Sequence, residues 1–359
     1  MLPRLSAEFD ASISAASLVI TSFALAYAIS VLLQGPLGDR FGKLRVVTWG
    51  TALAGLASVA CAFAGSLEWL AALRLATGIF ASSSVALGMA YIGDVVPLAE
   101  RQTTIAHFIA GSLLGQTLGP LFGGVFTDWV GWRVSFAVLG VIFVLVAAIL
   151  WVRTAAAWPA LTPGKFRPLA AHRELIRRAP VRWLIGVGLA ETFFFFGAYA
   201  FLGAYLQQRF GLSFTAVGLI LAGYGVGGLL YSSTARFLIR TLGERGLVTA
   251  GGMIGFLLYG AFLLLPHWTF AVPGTILLGL GFYLIHNPVQ TRATEVAPEA
   301  RGSAVALYAC AWALGQATGV AAMGAVVAAA GYAAVLAASG VGFGLLGLWL
   351  RANMHRLKA

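Results

Sequence analysis

Two ionisable side chains stand inside long apolar runs, and they have opposite sign. Glu191 lies about eight residues into one such run, near 12 Å deep at about 1.5 Å per residue, with Phe193, Phe194, Phe195 and Phe196 beside it. Arg74 lies one or two turns into another. Charged groups at membrane depth are costly and mark substrate, ion or proton pathways. A carboxyl so placed is suited to carrying a proton, or it stands as a protonated structural acid. Arg74 is suited to poising a proton site, or it snorkels its head group outward. A second polar group is His286-Asn287-Pro288-x-Gln290. Proline removes a backbone donor and frees a carbonyl, so this stretch is expected to interrupt its helix. It forms either a polar midplane site or a hinge. Gln116 and Gln316 line a cavity or join helices by hydrogen bonds. Tyr199, Tyr224, Tyr231, Tyr308 and Trp312 are candidate cavity walls, with ordinary packing as the alternative. His107 reads as structural.

No enzyme constellation accompanies these residues. The chain has no HExxH, no Gly-rich phosphate loop ending in Lys and Ser or Thr, and no Ser-His-Asp grouping near one end of the apolar runs. Its two cysteines, Cys61 and Cys310, both sit in apolar segments, so neither a disulfide framework nor a metal centre is expected. No cofactor is implied.

The elements that must hold these residues are membrane helices. Apolar residues make up 60% of the 359 and charged residues 10%, against roughly 25% charged in soluble domains. Apolar runs of about 20 residues fall near 14–34, 46–66, 69–93, 103–126, 132–152, 183–206, 213–235, 246–265, 269–291, 302–328 and 332–350. The reading is an all-α polytopic membrane protein with eleven spans. The Arg- and Pro-rich stretch 153–182 divides it into an N-terminal half, 1–152, and a C-terminal half, 183–359. Residues 1–13 do not resemble a cleavable signal peptide.

Net charge is +11, but its distribution speaks for topology rather than nucleic acid. The alternate linkers 35–45, 94–102, 153–182, 236–245 and 292–301, with the tail 351–359, hold 19 of the 23 Lys and Arg. The positive-inside rule makes that side, and the C-terminus, cytoplasmic.

The chain also repeats itself. Arg101 is followed by Leu114-Gly115-Gln116-Thr117-Leu118-Gly119, and Arg301 by Leu314-Gly315-Gln316-Ala317-Thr318-Gly319, at an offset of 200. Ala106/Ala306 and Gly124/Gly324 keep that register. Repeated sets of apolar helices are a common architecture of secondary transporters. The offset maps 183–206 onto a helix ending near residue 6. The expectation is a six-plus-six arrangement without its first helix, through a late start or a genuine short form.

Several motifs carry a family resemblance. Gly35-Pro36-Leu37-Gly38-Asp39-Arg40-Phe41-Gly42-Lys43-Leu44-Arg45 reads as a tight, charged turn and resembles the helix 2–3 signature of the major facilitator superfamily, with Leu44 at the second basic position. Leu70-x3-Arg74-x2-Thr77-Gly78 resembles its fourth-helix motif, with Thr77 where Gln is common. Asp94-x2-Pro97-x3-Arg101 resembles the linker before helix 5. Gly115-x3-Gly119-Pro120-x2-Gly123-Gly124 resembles the fifth-helix motif of drug:proton antiporters, with Ala106 where a glycine is expected. The stretch 236–245 is a degraded copy of the loop signature, with Ile239 at the Asp position.

The resemblance implies a major facilitator fold of two pseudo-symmetric halves, twelve helices minus the first. It assigns gating to Gly35, Asp39, Arg40, Gly42, Lys43, Asp94, Arg101, Gly115, Gly119 and Pro120. Asp39 would latch the cytoplasmic gate near the start of the 302–328 helix. The function it implies is proton-coupled efflux of small organic compounds by alternating access, with Glu191 and Arg74 as coupling residues. The cavity would be lined by Gln116, Tyr199, Tyr224, His286, Asn287, Gln290, Tyr308, Trp312 and Gln316. The expected partners are a small-molecule substrate, protons and the bilayer of the inner membrane, with no nucleic acid, and the protein is expected to be a monomer. The alternatives are a sugar or metabolite importer or uniporter, and a non-transporting sensor or degenerate paralogue.

Overall fold

The computed structural model describes residues 1–158 and 170–357, without the side chains of Leu98, Ala99, Arg101, Gln102, Thr103, Ala106, Ala157, Ala170, Ala171, Glu299 and Arg301. Arg101 is therefore placed only by its backbone, in the first turn of a helix. The helices are α1 (Leu2–Glu8), α2 (Ile13–Ala16), α3 (Leu18–Phe41), α4 (Lys43–Cys61), α5 (Leu67–Val95), α6 (Leu98–Trp129), α7 (Trp132–Thr154), α8 (Ala170–Ile176), α9 (Ala179–Phe210), α10 (Phe214–Leu263), α11 (Ala271–Glu295) and α12 (Arg301–Asn353). Among the described residues there is no strand.

Nine helical stretches are long and apolar enough to cross a membrane. Two of them, α10 and α12, have 50 and 53 residues, at least twice the roughly 20 that one crossing needs. Each breaks once at a glycine with positive φ, Gly243 (φ 61°) and Gly331 (φ 77°). A side chain at such a φ is strained and glycine is not, so the chain reverses there without a loop. With both long helices counted as two limbs, eleven crossings result, as the apolar runs predict.

Two expectations about local structure need correction. Gly35–Phe41 is not a turn. It completes α3, and the reversal is made at Gly42 alone, at φ 89°. Pro36 lies inside α3 without ending it. His286-Asn287-Pro288 likewise does not interrupt its helix, since α11 runs through Pro288 to Glu295. Only the bond from Pro288 to the carbonyl of Leu284 is missing.

The first half packs α4 against α5 and α7, and α3 against α5. The second packs α9 on α12, and α10 on α11 and α12. The halves meet along two seams, α3 with α12 and α6 with α10. Small residues make the α6–α10 seam close. A Cβ on Gly218 would come within 2.6 Å of the Pro120 carbonyl, and one on Gly225 within 2.0 Å of Thr117 Oγ1. This seam ends where Asp128 of α6 accepts from the backbone N–H groups of Phe214 and Thr215 at 3.1 and 2.6 Å. The same face carries a clasp of α1: Glu8 is ion-paired with Arg133 and accepts from the Trp132 indole at 2.6 Å.

Candidate functional site

Glu191 lies near the middle of α9, and its side chain is fully buried. Two chemically active groups reach it, each from a different helix. His286 Nδ1 on α11 stands 3.0 Å from Oε1, and the Tyr308 hydroxyl on α12 donates to Oε2 at 3.2 Å. Tyr308 Oη also lies 3.2 Å from His286 Nδ1. Carboxyl, imidazole and phenol thus form a closed triangle in which one proton can rest on the carboxyl or on the ring nitrogen. His286 retains 14% side-chain exposure against none for Glu191.

The helices can approach this closely because the contact positions are small. Gly188, one turn before Glu191, leaves room for the Tyr308 ring; a Cβ there would meet Tyr308 Cε2 at 2.8 Å. Gly315 lies against the Leu189 carbonyl, where a Cβ would stand at 2.2 Å. Thr192 then ties α9 to α12 by donating to the Trp312 carbonyl at 2.7 Å. Thr275 ties α11 to α10 by donating to the Ile220 carbonyl at 2.6 Å.

Aromatic rings enclose the triangle. Phe282 stacks on the His286 imidazole with centroids 5.1 Å apart, and Trp312 lies 6.3 Å from the same ring and 5.3 Å from Phe196. The buried Trp312 indole N–H has no hydrogen-bond partner among the described residues. Tyr224 and Tyr231 are buried and pack on Tyr283, while Tyr199 donates to the Leu221 carbonyl. Tyr283 reaches across to the other half, donating to Gln116 Oε1 at 3.0 Å. This bond joins α11 to α6.

The remaining sequence-derived candidates fall in several places. Asn287 turns back to the Tyr283 carbonyl at 3.3 Å, Gln290 is exposed, and Gln316 is half-buried on α12. Arg74 is placed in the other half, between the rings of Phe23 and Phe136, with one bond to the Val19 carbonyl at 3.4 Å. Its contacts are all N-terminal, so the structure does not bring it to Glu191. Lys43 and Asp94 form an ion pair, joining α4 to the end of α5. Asp39 and Arg40 are exposed at the end of α3 with Gly35, and Arg40 lies over the Phe41 ring. Gly115, Gly119 and Pro120 follow one another along α6.

Residues not singled out from the sequence complete the site: Thr192, Phe282 and Tyr283 around the triangle, and Asp128 at the seam. Asp128 did carry a signal. It sits at the C-terminal end of α6, where the helix's own dipole disfavours an anion, so an outside partner was required.

Comparison with known proteins places this geometry in a family. The chain is 26% identical over 333 residues to the uncharacterized MFS-type transporter YceJ of Bacillus subtilis, covering 89% of this chain and 82% of that protein. It is 27% identical over 316 residues to a chloramphenicol resistance protein of Pseudomonas aeruginosa, 83% of this chain and 72% of that one. Over 147 residues it is 31% identical to the multidrug export protein EmrB of Escherichia coli K12, 40% of this chain and 29% of that protein. The fold superposes with a TM-score of 0.73 on a bacterial homologue of the human lysosomal transporter Spinster, at 20% identity, covering 99% of this chain and 91% of that one. The Major Facilitator Superfamily model matches residues 1–320, and the chain, a multi-pass membrane protein, belongs to that superfamily of transporters.

Proposed function

We propose that this transporter exports small lipophilic or neutral organic molecules from the cytoplasm across a bacterial inner membrane in exchange for protons, as a monomer, and that Glu191 is the residue that carries the proton. One observation carries the reading: a fully buried carboxyl at mid-helix is held by an imidazole and a phenol and ringed by aromatic side chains. An ionisable group in such a place is costly to keep without a task. The unpartnered indole N–H of Trp312 offers a donor to a substrate acceptor, and the surrounding rings offer apolar contact. The chloramphenicol resistance and multidrug export relatives support outward transport of organic compounds.

In this cycle the basic face is cytoplasmic, and the halves rock about the α3–α12 and α6–α10 seams. Glu191 takes a proton when open to the outside and yields it inside, and substrate moves the other way. Asp39, Arg40, Lys43, Asp94 and Arg101 act at the cytoplasmic gate, and Gly115, Gly119 and Pro120 let α6 bend and seal. The test is transport of a fluorescent lipophilic dye in everted vesicles with an imposed pH gradient. Glu191→Gln is expected to abolish gradient-driven uptake while the protein still folds and inserts. Undiminished uptake in that variant overturns the assignment.

A further inference from the structure

A proton bound for Glu191 has to reach a carboxyl with no exposed surface. Glu191 is 0% exposed and Tyr308 is 3% exposed, so two corners of the triangle are closed. The third, His286, keeps 14% side-chain exposure. Its Nδ1 is occupied, facing Glu191 Oε1 at 3.0 Å and Tyr308 Oη at 3.2 Å. Its Nε2 has no hydrogen-bond partner among the described residues, yet it is not one of their fully buried unpartnered atoms. One imidazole nitrogen therefore meets the carboxyl and the other keeps open surface.

The imidazole is also held still. Phe282 and Tyr308 stack on it with centroids at 5.1 and 6.0 Å, and Tyr283 and Trp312 lie at 6.1 and 6.3 Å. A ring packed this way passes a proton by exchange at its two nitrogens rather than by turning. The titratable groups that face it are Glu191 from α9, Tyr308 from α12 and Tyr283 from α11 itself. Among the described residues no Lys, Arg, Asp or second His pairs with it.

We propose that His286 is the port of the triangle: every proton that loads or leaves Glu191 passes through its imidazole. The inference rests on the reading of Glu191 as the proton carrier. Before loading, Nδ1–H donates to the Glu191 carboxylate and Nε2 is the acceptor nitrogen of a neutral ring. A proton from water bonds to Nε2, the Nδ1–H bond breaks, and the proton so freed bonds to Oε1. The product is a neutral carboxyl donating to Nδ1, with the ring proton now on Nε2. Tyr308 donates to Oε2 in both states, so every donor keeps an acceptor at the carboxyl. Release runs the same bonds backwards. The ring ends each transfer neutral, which avoids leaving an imidazolium among aromatic side chains, where charge is costly.

The experiment is a pH jump on the full chain in liposomes, followed by time-resolved infrared absorption at the carbonyl stretch of a protonated carboxyl. Loss of the band in Glu191→Gln identifies it as that of Glu191. Incorporating τ-methylhistidine at position 286 caps Nε2 and leaves Nδ1 to Glu191. The rise of the Glu191 band is expected to slow at least tenfold with its final amplitude retained, because the path is blocked and the site is intact. His286→Gln, whose amide can hold Glu191 but cannot relay a proton, is expected to slow it likewise, and replaces the methylated chain if that does not insert. An unchanged rate, or a lost amplitude, overturns the port while leaving Glu191 as a group that takes up protons. A jump that raises no Glu191-dependent band in the parent chain overturns the reading of Glu191 itself, and the port with it.

Discussion

Asp128 of α6 and Thr215 of α10 are joined across the two halves: the Thr215 backbone N–H donates to Asp128 Oδ2 at 2.6 Å. The carboxylate is set against its own helix dipole and satisfied by the N-terminus of another. It closes the seam on the face opposite the basic linkers, where no other carboxylate spans α6 and α10 among the described residues. Asp128→Asn should weaken a charge-assisted contact worth about 1.5–3 kcal/mol. Distances between spin labels on that face of α6 and α10 should shift toward a more open population. An unchanged distance distribution would show that the glycine seam alone keeps it shut.

Tyr308→Phe removes the hydroxyl that holds both Glu191 and His286 and leaves the ring that fills the space above Gly188. The variant should fold normally but lose about 1–2 kcal/mol of hydrogen bonding at the carboxyl, a fall of roughly 5- to 30-fold in gradient-driven transport. Dye binding measured without a gradient should change little. Equal losses in both measurements would make Tyr308 a wall rather than a proton-site residue.

Gly315→Ala and Gly115→Ala are the same change at matched positions of the repeat, yet they should differ in the purified chain. The new methyl at 315 would stand 2.2 Å from both the Leu189 carbonyl and Thr192 Oγ1, whereas at 115 it meets nothing. Forcing α9 from α12 should cost about 1–3 kcal/mol, visible as a lower melting temperature. Gly115→Ala should melt with the wild type. Equal melting temperatures would mean that α9 and α12 can part freely.

The Glu8 clasp predicts a pH dependence. Burial opposes ionisation of Glu8, but hydrogen bonds from Arg133 and Trp132, with the charges of Arg133 and Arg4, outweigh it and hold the carboxyl below its ordinary value. A depressed carboxyl stabilises the fold above its ordinary value and loses that contribution as pH falls through the folded one. Protease cleavage between α1 and α3 should therefore increase as pH drops below about 4.5, and Glu8→Gln should show the increased cleavage at every pH. A pH-independent cleavage rate in the parent protein would remove Glu8 as its cause.

Much of this was legible in the chain. Eleven apolar runs and a charged short linker follow from hydropathy and backbone freedom, which are local properties. The turn expected over Gly35–Arg45 narrows to Gly42, because packing offsets the helix cost of glycine and proline and Gly38 lies against Leu87 of α5. Glu191 was conspicuous as an acid among phenylalanines. Its partners were noticed separately, but His286 and Tyr308 lie 95 and 117 residues away, and no spacing rule joins positions on three helices. Arg74 and Glu191 were grouped by rarity alone; they lie in different halves, and packing brings no contact between them.

Glu191, His286 and Tyr308 all belong to the C-terminal half, while Gln116, which accepts from the neighbouring Tyr283, belongs to the other. A rocking motion can therefore change what the triangle sees without changing the triangle.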